Sequence, residues 1–341
     1  MGTYPIDVSA GGAVLLGGRI CCDGFHRECE TRVQTHVHDD HMEHFETSKG
    51  YQNILMTDAT KNLLIAEFNA DLLFRDNIRS MQIGMAHEIM DCRVILLPSD
   101  HMLGSVQVGV ELSNGMTVGY SGDFHWPLEK VIQVDALVVD STYGSPDCRR
   151  AYSQDEVEGR LFQLVSSKLK RGPVHIKAHR GTLQRALQVL SGAVDCPMVG
   201  SSRLCGEVDV YRQFGYGIGQ VVPAESPEGK SILTGDRFIR FYGKGDRLPV
   251  QPAGVTLTLS AYMSRPDDPI TEFSDRSFGV AVSNHADFDG TLAYVEATGA
   301  KFVLTDSMRG AHALELALEI QRHLGKEARP SSHEATREWG V

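Results

Sequence analysis

The sequence predicts an α/β protein whose main body is interrupted by a smaller inserted α/β segment. Three observations carry that expectation. Apolar or alternating strand patterns crowd the first 140 residues, strand and helix patterns alternate from 173 to 213, and patterns of the first kind resume after 255. At 341 residues the chain exceeds the usual size of one domain, which agrees with two domains or one domain with a large insertion.

In chain order, strand patterns fall near 4–9, 13–23, 31–36, 93–98, 105–112, 116–121 and 134–140, with helical periodicity at 58–68 and 154–170. Asn114-Gly115 is a hairpin signal between two of these strands. Strands at 173–178 and 196–200 alternate with helices at 182–191 and 202–213, a rhythm that predicts a parallel sheet. The Pro- and Gly-rich stretches 223–230 and 243–254 read as loops around the rear boundary of the insertion. Strands near 255–260, 278–282 and 301–305 and helices near 288–298 and 310–324 return the chain to the first domain. The expected division is therefore 1–143 with 255–330, an insertion at 144–254, and a tail at 331–341.

Within this frame the string THVHDDHM is the most specific feature. His36, His38, Asp40 and His41 offer imidazole nitrogen and carboxylate oxygen, which suit zinc and similar divalent ions. Four such groups in six residues cannot all reach one tetrahedral ion, so two adjacent metals are expected. His36 and His38 point the same way, because strand side chains repeat every two residues, while Asp40 and His41 turn toward the second ion. The competing reading is a polar loop with clustered histidines in a chain that has fourteen of them. The metal reading predicts further ligands downstream, and His101 in LLPSDHMLGSVQVGV and Asp123 in MTVGYSGDFHW stand at the ends of strand patterns.

With these residues in order the chain resembles the metallo-β-lactamase superfamily. The resemblance implies an α/β fold, an αββα sandwich carrying its metals on loops at one edge. His36, His38, Asp40 and His41 match its second motif, His101 its third and Asp123 its fourth. Asp7, in YPIDVSAGGAVLLGG, matches its first, an Asp that holds the metal loop by hydrogen bonds. Asp140, which ends VDALVVD and opens DSTYG, and His285, in VAVSNHADFDG, resemble motifs A and B of the β-CASP branch of nucleic-acid processing nucleases. Residues 173–190 and 257–263 resemble that branch's glycine turn with its helix and its Ser-containing turn, so the insertion is expected to be β-CASP-like. The short insertion is most similar to the exonuclease type associated with DNA ligases and helicases. One departure stands out: where RNA-processing members have a motif C histidine, KFVLTDSMRGAHALELAL has Asp306, which also tilts the substrate toward DNA.

The resemblance implies a hydrolase, a metal-dependent nuclease of DNA or RNA and of exonuclease type, with two zinc ions, Mn2+ being an alternative metal. His36, His38 and His101 would hold one ion, Asp40, His41 and Asp306 the other, and Asp123 would bridge them. Paired metals lower the pKa of a bound water toward ~7 and clamp a phosphate. Asp40 joins the catalytic set. His285 would protonate the leaving oxygen with Asp140 orienting it, and His179, Arg180 and Arg185 would meet the phosphates. The alternatives are a small-substrate hydrolase of the same fold, acting on a cyclic nucleotide or thioester, and a non-catalytic nucleic-acid-binding subunit. A DNA ligase or helicase partner is a further expectation.

Composition bears on these classes. The net charge of −11 argues against simple phosphate binding, but residues 144–254 carry 16 Lys and Arg against 11 Asp and Glu, leaving 17 against 33 elsewhere. The insertion is the basic part. Seven cysteines, an odd number, and no basic-then-apolar leader or long apolar run suggest a cytoplasmic protein with reduced thiols and no membrane segment. Cys21, Cys22, His26 and Cys29 lack the paired Cys-x-x-Cys spacing of a zinc module and read as free thiols.

Overall fold

In a computed structural model that describes residues 4–68, 71–250, 252–263 and 265–333, the chain is α/β and forms two compact units. One comprises Met1–Leu64, Asp71–Arg149 and His285–Val341, the other Ile65–Ala70 and Arg150–Asn284. The expected tail lies outside the described residues from position 334 on.

The first unit contains two sheets. Strands β1 (Ile6–Val8), β2 (Val14–Leu16), β3 (Ile20–Cys22), β4 (Thr31–Val33), β5 (Asn53–Met56) and β6 (Ile78–Ser80) pair in that order, antiparallel up to β3 and parallel beyond it. The single strand expected at 13–23 is thus a hairpin. Gly17 and Gly18, in the three-residue loop between its strands, both have positive φ, 70° and 83°, a conformation that side chains resist. The second sheet runs antiparallel through β7 (Ala86–Ile89), β8 (Cys92–Pro98), β9 (Val106–Glu111) and β10 (Thr117–Tyr120). It then continues parallel through β11 (Ala136–Val139), Phe302–Thr305 and Glu327–Pro330.

Side-chain alternation explains the layers. Ala136, Val138, Phe302 and Leu304 face a core shared with Val8, Leu16, Ile20, Val33 and Leu55 of the first sheet. Leu137, Val139 and Val303 face the other way, onto helices Phe288–Ala297 and Ala313–Leu324. Strands covered on both faces need the continuous apolar runs seen at 136–139 and 302–304.

The second unit has one seven-stranded sheet. Its order is Val221–Pro223, Met198–Gly200, Ile239–Tyr242, Val174–Ala178, Val255–Leu259, Ser277–Val280 and Ile270–Ser274, with every neighbouring pair parallel except the last. This corrects the expected boundary at 255. Val255–Leu259 pairs with Val174–Ala178 in five-residue register, so the chain stays in this sheet until Asn284. The stretch 223–230 is no boundary either, since Ser226 caps a helix at Pro227–Leu233. With these limits the unit carries 17 Lys and Arg against 15 Asp and Glu, and most of the expected basic excess disappears. No helix among the described residues is long and apolar enough to cross a membrane. All seven cysteines are free thiols.

Candidate metal centre

The histidine string leaves β4 as a buried loop, and two inward-facing polar side chains of that segment shape it. Arg32, fully buried in β4, donates Nε and Nη2 to Gln34 Oε1 (3.0 and 2.7 Å), Nη2 to the His41 carbonyl (2.9 Å) and Nη1 to the Glu43 carbonyl and Ser48 Oγ. Gln34 Nε2 donates to the carbonyls of His36 (2.6 Å) and His41 (2.9 Å). Loop carbonyls that point inward are thereby satisfied, which a buried irregular segment requires. Burial pushes the Arg32 guanidinium down to about 10 despite Asp23 nearby, and the group remains charged at neutral pH.

Four ligand atoms converge above this loop. His36, His38, His101 and Asp123 each offer one donor atom within 4.8 Å of all the others. Asp123 Oδ2 lies 3.5 Å from His36 Nε2 and 3.5 Å from His101 Nε2, and His38 Nδ1 lies 3.1 Å from His101 Nε2. Metal bonds of ~2.0–2.2 Å in a tetrahedron set ligand-to-ligand edges of about 3.4 Å, so the spacing fits one zinc-sized ion. His101 is presented by a turn in which Ser105 Oγ accepts the amides of His101 and Met102. Asp123 follows Gly122 (φ 56°), where a side chain would come within 2.7 Å of the Val106 carbonyl. Only glycine lets the chain turn there so close to β9.

The proton bookkeeping also suits a cation. Thr35 Oγ1 donates to Asp23 Oδ2 (2.5 Å) and so accepts from His36 Nδ1 (3.0 Å), leaving His36 Nε2 as a lone pair. That buried nitrogen and His41 Nε2 have no hydrogen-bond partner among the described residues. Burial, reinforced by neighbouring histidines, lowers His36 and takes His38 well below the usual histidine value. Burial opposes the Asp123 charge, yet His41 and His285 outweigh it and hold the carboxyl well below its usual range. Neutral His36 and His38 beside an ionised Asp123 are in the state in which such groups ligate metals.

Two of the expected site residues stand elsewhere. Asp7 points outward from β1 and accepts the amide of Val8, its own neighbour, at 2.9 Å. The loop is held instead by Asp23, which turns off β3 with φ 55° and is fully buried. Asp23 Oδ2 accepts His41 Nδ1 at 2.7 Å, and Oδ1 accepts the Thr35 amide at 2.8 Å. The signal for it was the Asp-Gly pair closing the apolar run Ile20–Cys22. Asp23→Asn is expected to weaken metal retention by about 10- to 100-fold, the usual size for a residue that orients a ligand, while Asp7→Asn leaves it unchanged. Competition with a chromogenic chelator reads both variants.

Asp306 is the second departure. Its Oδ2 pairs with Arg309 Nη1 at 2.8 Å, its Oδ1 accepts the Met308 amide at 2.8 Å, and it belongs to none of the candidate ligand groups. Asp40 stands at the rim with its side chain 34% exposed, 3.8 Å from His41 Nε2. His41 Nε2 is 3.1 Å from Asp123 Oδ1, out of line for a hydrogen bond. Burial opposes its charge, but Asp123 and Asp40 raise it well above the usual histidine range.

His285 and Asp140 complete the cluster with Asp123. His285 lies in the turn before helix Phe288–Ala297, and its Nδ1 donates to Asp140 Oδ2 at 3.1 Å. Its Nε2 is turned toward Asp123 Oδ2, 3.7 Å away. Asp140 is fixed in turn by Thr142, whose amide and Oγ1 donate to its Oδ1 at 2.8 and 2.6 Å. Burial lowers the His285 pKa, but the charges of Asp123 and Asp140 raise it overall.

The expected phosphate contacts of the second unit are corrected in part. Arg180 is 12% exposed and paired with Glu67 and Glu207, the latter at 3.3 Å, and Gln184 Nε2 donates to the other oxygen of Glu207 at 2.6 Å. These residues tie the turn together from within. Arg185 reaches Glu158 Oε1 at 2.6 Å, and His179 is exposed.

No family model matches the chain. A crystal structure of a protein of unknown function from Enterococcus faecalis V583 has the same fold, with a TM-score of 0.60 and 13% identity over 91% of this chain and 80% of that one. Transcription termination factor FttA of Pyrococcus abyssi is 31% identical over 124 residues, 32% of this chain and 19% of that protein, so the match spans about a fifth of FttA. The match to FttA and the clustered ligands support the resemblance to the metallo-β-lactamase superfamily. An uncharacterised protein in the lig 3′ region of Acidianus ambivalens is 35% identical over 135 residues, 39% of this chain and 96% of that protein. The chain belongs to the family of that Acidianus protein.

Proposed function

We propose that the protein is a metal-dependent phosphodiesterase of the β-CASP type that removes nucleotides from the ends of DNA or RNA. In this reading the facing sheets of the first unit with their outer helices are the αββα sandwich, and Arg150–Asn284 is the β-CASP-like insertion. One observation carries it. Asp123 is shared between the four-ligand cluster and the His285–Asp140 pair, so a metal-binding set and a proton-holding set meet on a single carboxylate. A hydrolase acting on an anionic ester needs both, a cation at the phosphate and an acid at the leaving oxygen.

When bound by His36, His38, His101 and Asp123, zinc or manganese would supply positive charge to the phosphate and acidify a water. The chain's own groups do the rest. His36, His38, His101 and Asp123 fix the ion, and Asp140 holds the Nδ1 proton of His285 so that Nε2 carries the proton given to the departing oxygen. Asp40, at the exposed rim, takes a proton from the attacking water. Nucleic acid is favoured as the substrate class because one relative is named as a transcription termination factor and another by its place beside lig.

The test is hydrolysis of end-labelled single-stranded and duplex DNA and RNA, set against a nitrophenyl phosphodiester and a thioester, before and after chelation. Nucleotide ladders that vanish on chelation and return with zinc or manganese are the expected result. Turnover of the thioester alone would reject the proposal in favour of a small-substrate hydrolase. His285→Ala should slow cleavage by about 10²- to 10⁴-fold with metal content unchanged, the range for loss of a general acid. Zinc loss in that variant, read by elemental analysis, would make His285 a ligand instead.

A further inference from the structure

The second ion implied by the resemblance does not fit this chain as the first does. At the first position four donors stand at tetrahedral spacing. At the second, His41 Nε2 is 3.1 Å from Asp123 Oδ1 and 3.8 Å from Asp40 Oδ2, and the remaining expected donor is committed elsewhere. Both oxygens of Asp306 are taken, one by Arg309 and one by the Met308 amide, in a pocket that leaves the residue 1% exposed. Among the described residues no candidate ligand group contains Asp40 or Asp306.

Beside Asp306, and against the backbone of Asp40, lies a guanidinium. Arg309 Nη1 donates to Asp306 Oδ2, Nε to the Asp40 carbonyl at 3.1 Å, and Nη2 to the carbonyls of Gly12 (2.5 Å) and Asp23 (3.2 Å). It is 6% exposed and cannot shed its proton at any ordinary pH. A permanent cation held by the backbone of the metal loop neutralises the carboxylates that would otherwise attract a second dication, and it repels one directly. It also holds the Asp40 backbone while the Asp40 side chain stays at the exposed rim, free of permanent ligation.

We propose that the chain retains one metal ion, at His36, His38, His101 and Asp123, and that Arg309 supplies the fixed positive charge of a second. Arg309 is then a positioning residue, acting through the Asp40 backbone and the Asp306 carboxylate. The inference rests on the metal reading of the site but makes a separate claim, the number of ions.

That number is directly measurable. The stripped full-length protein is reloaded with excess zinc, freed of loose metal by buffer exchange, and assayed for zinc against protein by plasma mass spectrometry. Cobalt(II) titration followed by its visible bands gives an independent count without any turnover. One equivalent is expected, kept by His41→Ala and lost by His101→Ala. Two retained equivalents, or the loss of one in His41→Ala, overturn the proposal and leave the metal centre standing. No retained metal at all overturns the metal reading itself. If circular dichroism shows either variant unfolded, the wild-type count decides alone.

Discussion

Asp123→Asn is expected to release the metal and slow hydrolysis by about a thousandfold or more. Its carboxylate lies among four of the site's imidazoles. His36 and His101 lie 3.5 Å away, His41 3.1 Å and His285 3.7 Å, so one negative charge faces four imidazoles. Asparagine keeps the shape but removes the charge and turns a donor toward groups that need an acceptor. Losing the ion forfeits several kcal/mol of charge stabilisation at the phosphate, and each ~1.4 kcal/mol is a factor of ten in rate. Zinc content and hydrolysis of a nitrophenyl phosphodiester should fall together. A variant that keeps its zinc and more than a tenth of its rate would remove Asp123 from the centre.

Arg309→Met is expected to cost about 3–5 kcal/mol of stability, the usual price of stripping one partner from a buried ion pair. Arg309 and Asp306 are 3% and 1% exposed at the side chain, and the guanidinium also satisfies the carbonyls of Gly12, Asp23 and Asp40. Methionine fills much of the volume but leaves Asp306 charged and without its cation. Adding Asp306→Asn should recover part of the loss, because it removes the stranded charge. Urea melts of the two variants and the wild type measure both steps. Equal stability of Arg309→Met and wild type would show that the pair contributes nothing.

How much of the site was legible depended on how local its signal was. His36, His38, His101 and Asp123 could be read because each is a ligand-type residue at the end of a strand pattern, and strand ends present side chains at a sheet rim. The carboxylate that orients the loop could not be read the same way. Asp7 and Asp23 both sit in or beside short apolar strands, and the choice between them rests on which one meets His41, a contact across 18 residues. Arg180 shows the same limit. Its charge is evident from the chain, but its burial between Glu67 and Glu207 depends on residues 113 and 27 positions away.

By itself, the sequence determined the α/β character, the parallel sheet of the second unit, and which histidine and aspartate side chains are candidates to hold a metal. Periodicity and residue type are properties of short windows, and short windows suffice for those. Only the tertiary structure decided that Val255–Leu259 stays with Val174–Ala178, that Asp23 and not Asp7 holds the loop, and that Asp306 answers to Arg309. A strand has the same pattern in either of two sheets, and a carboxylate has the same chemistry beside a metal or a guanidinium. Which neighbour it meets is settled by packing between distant segments.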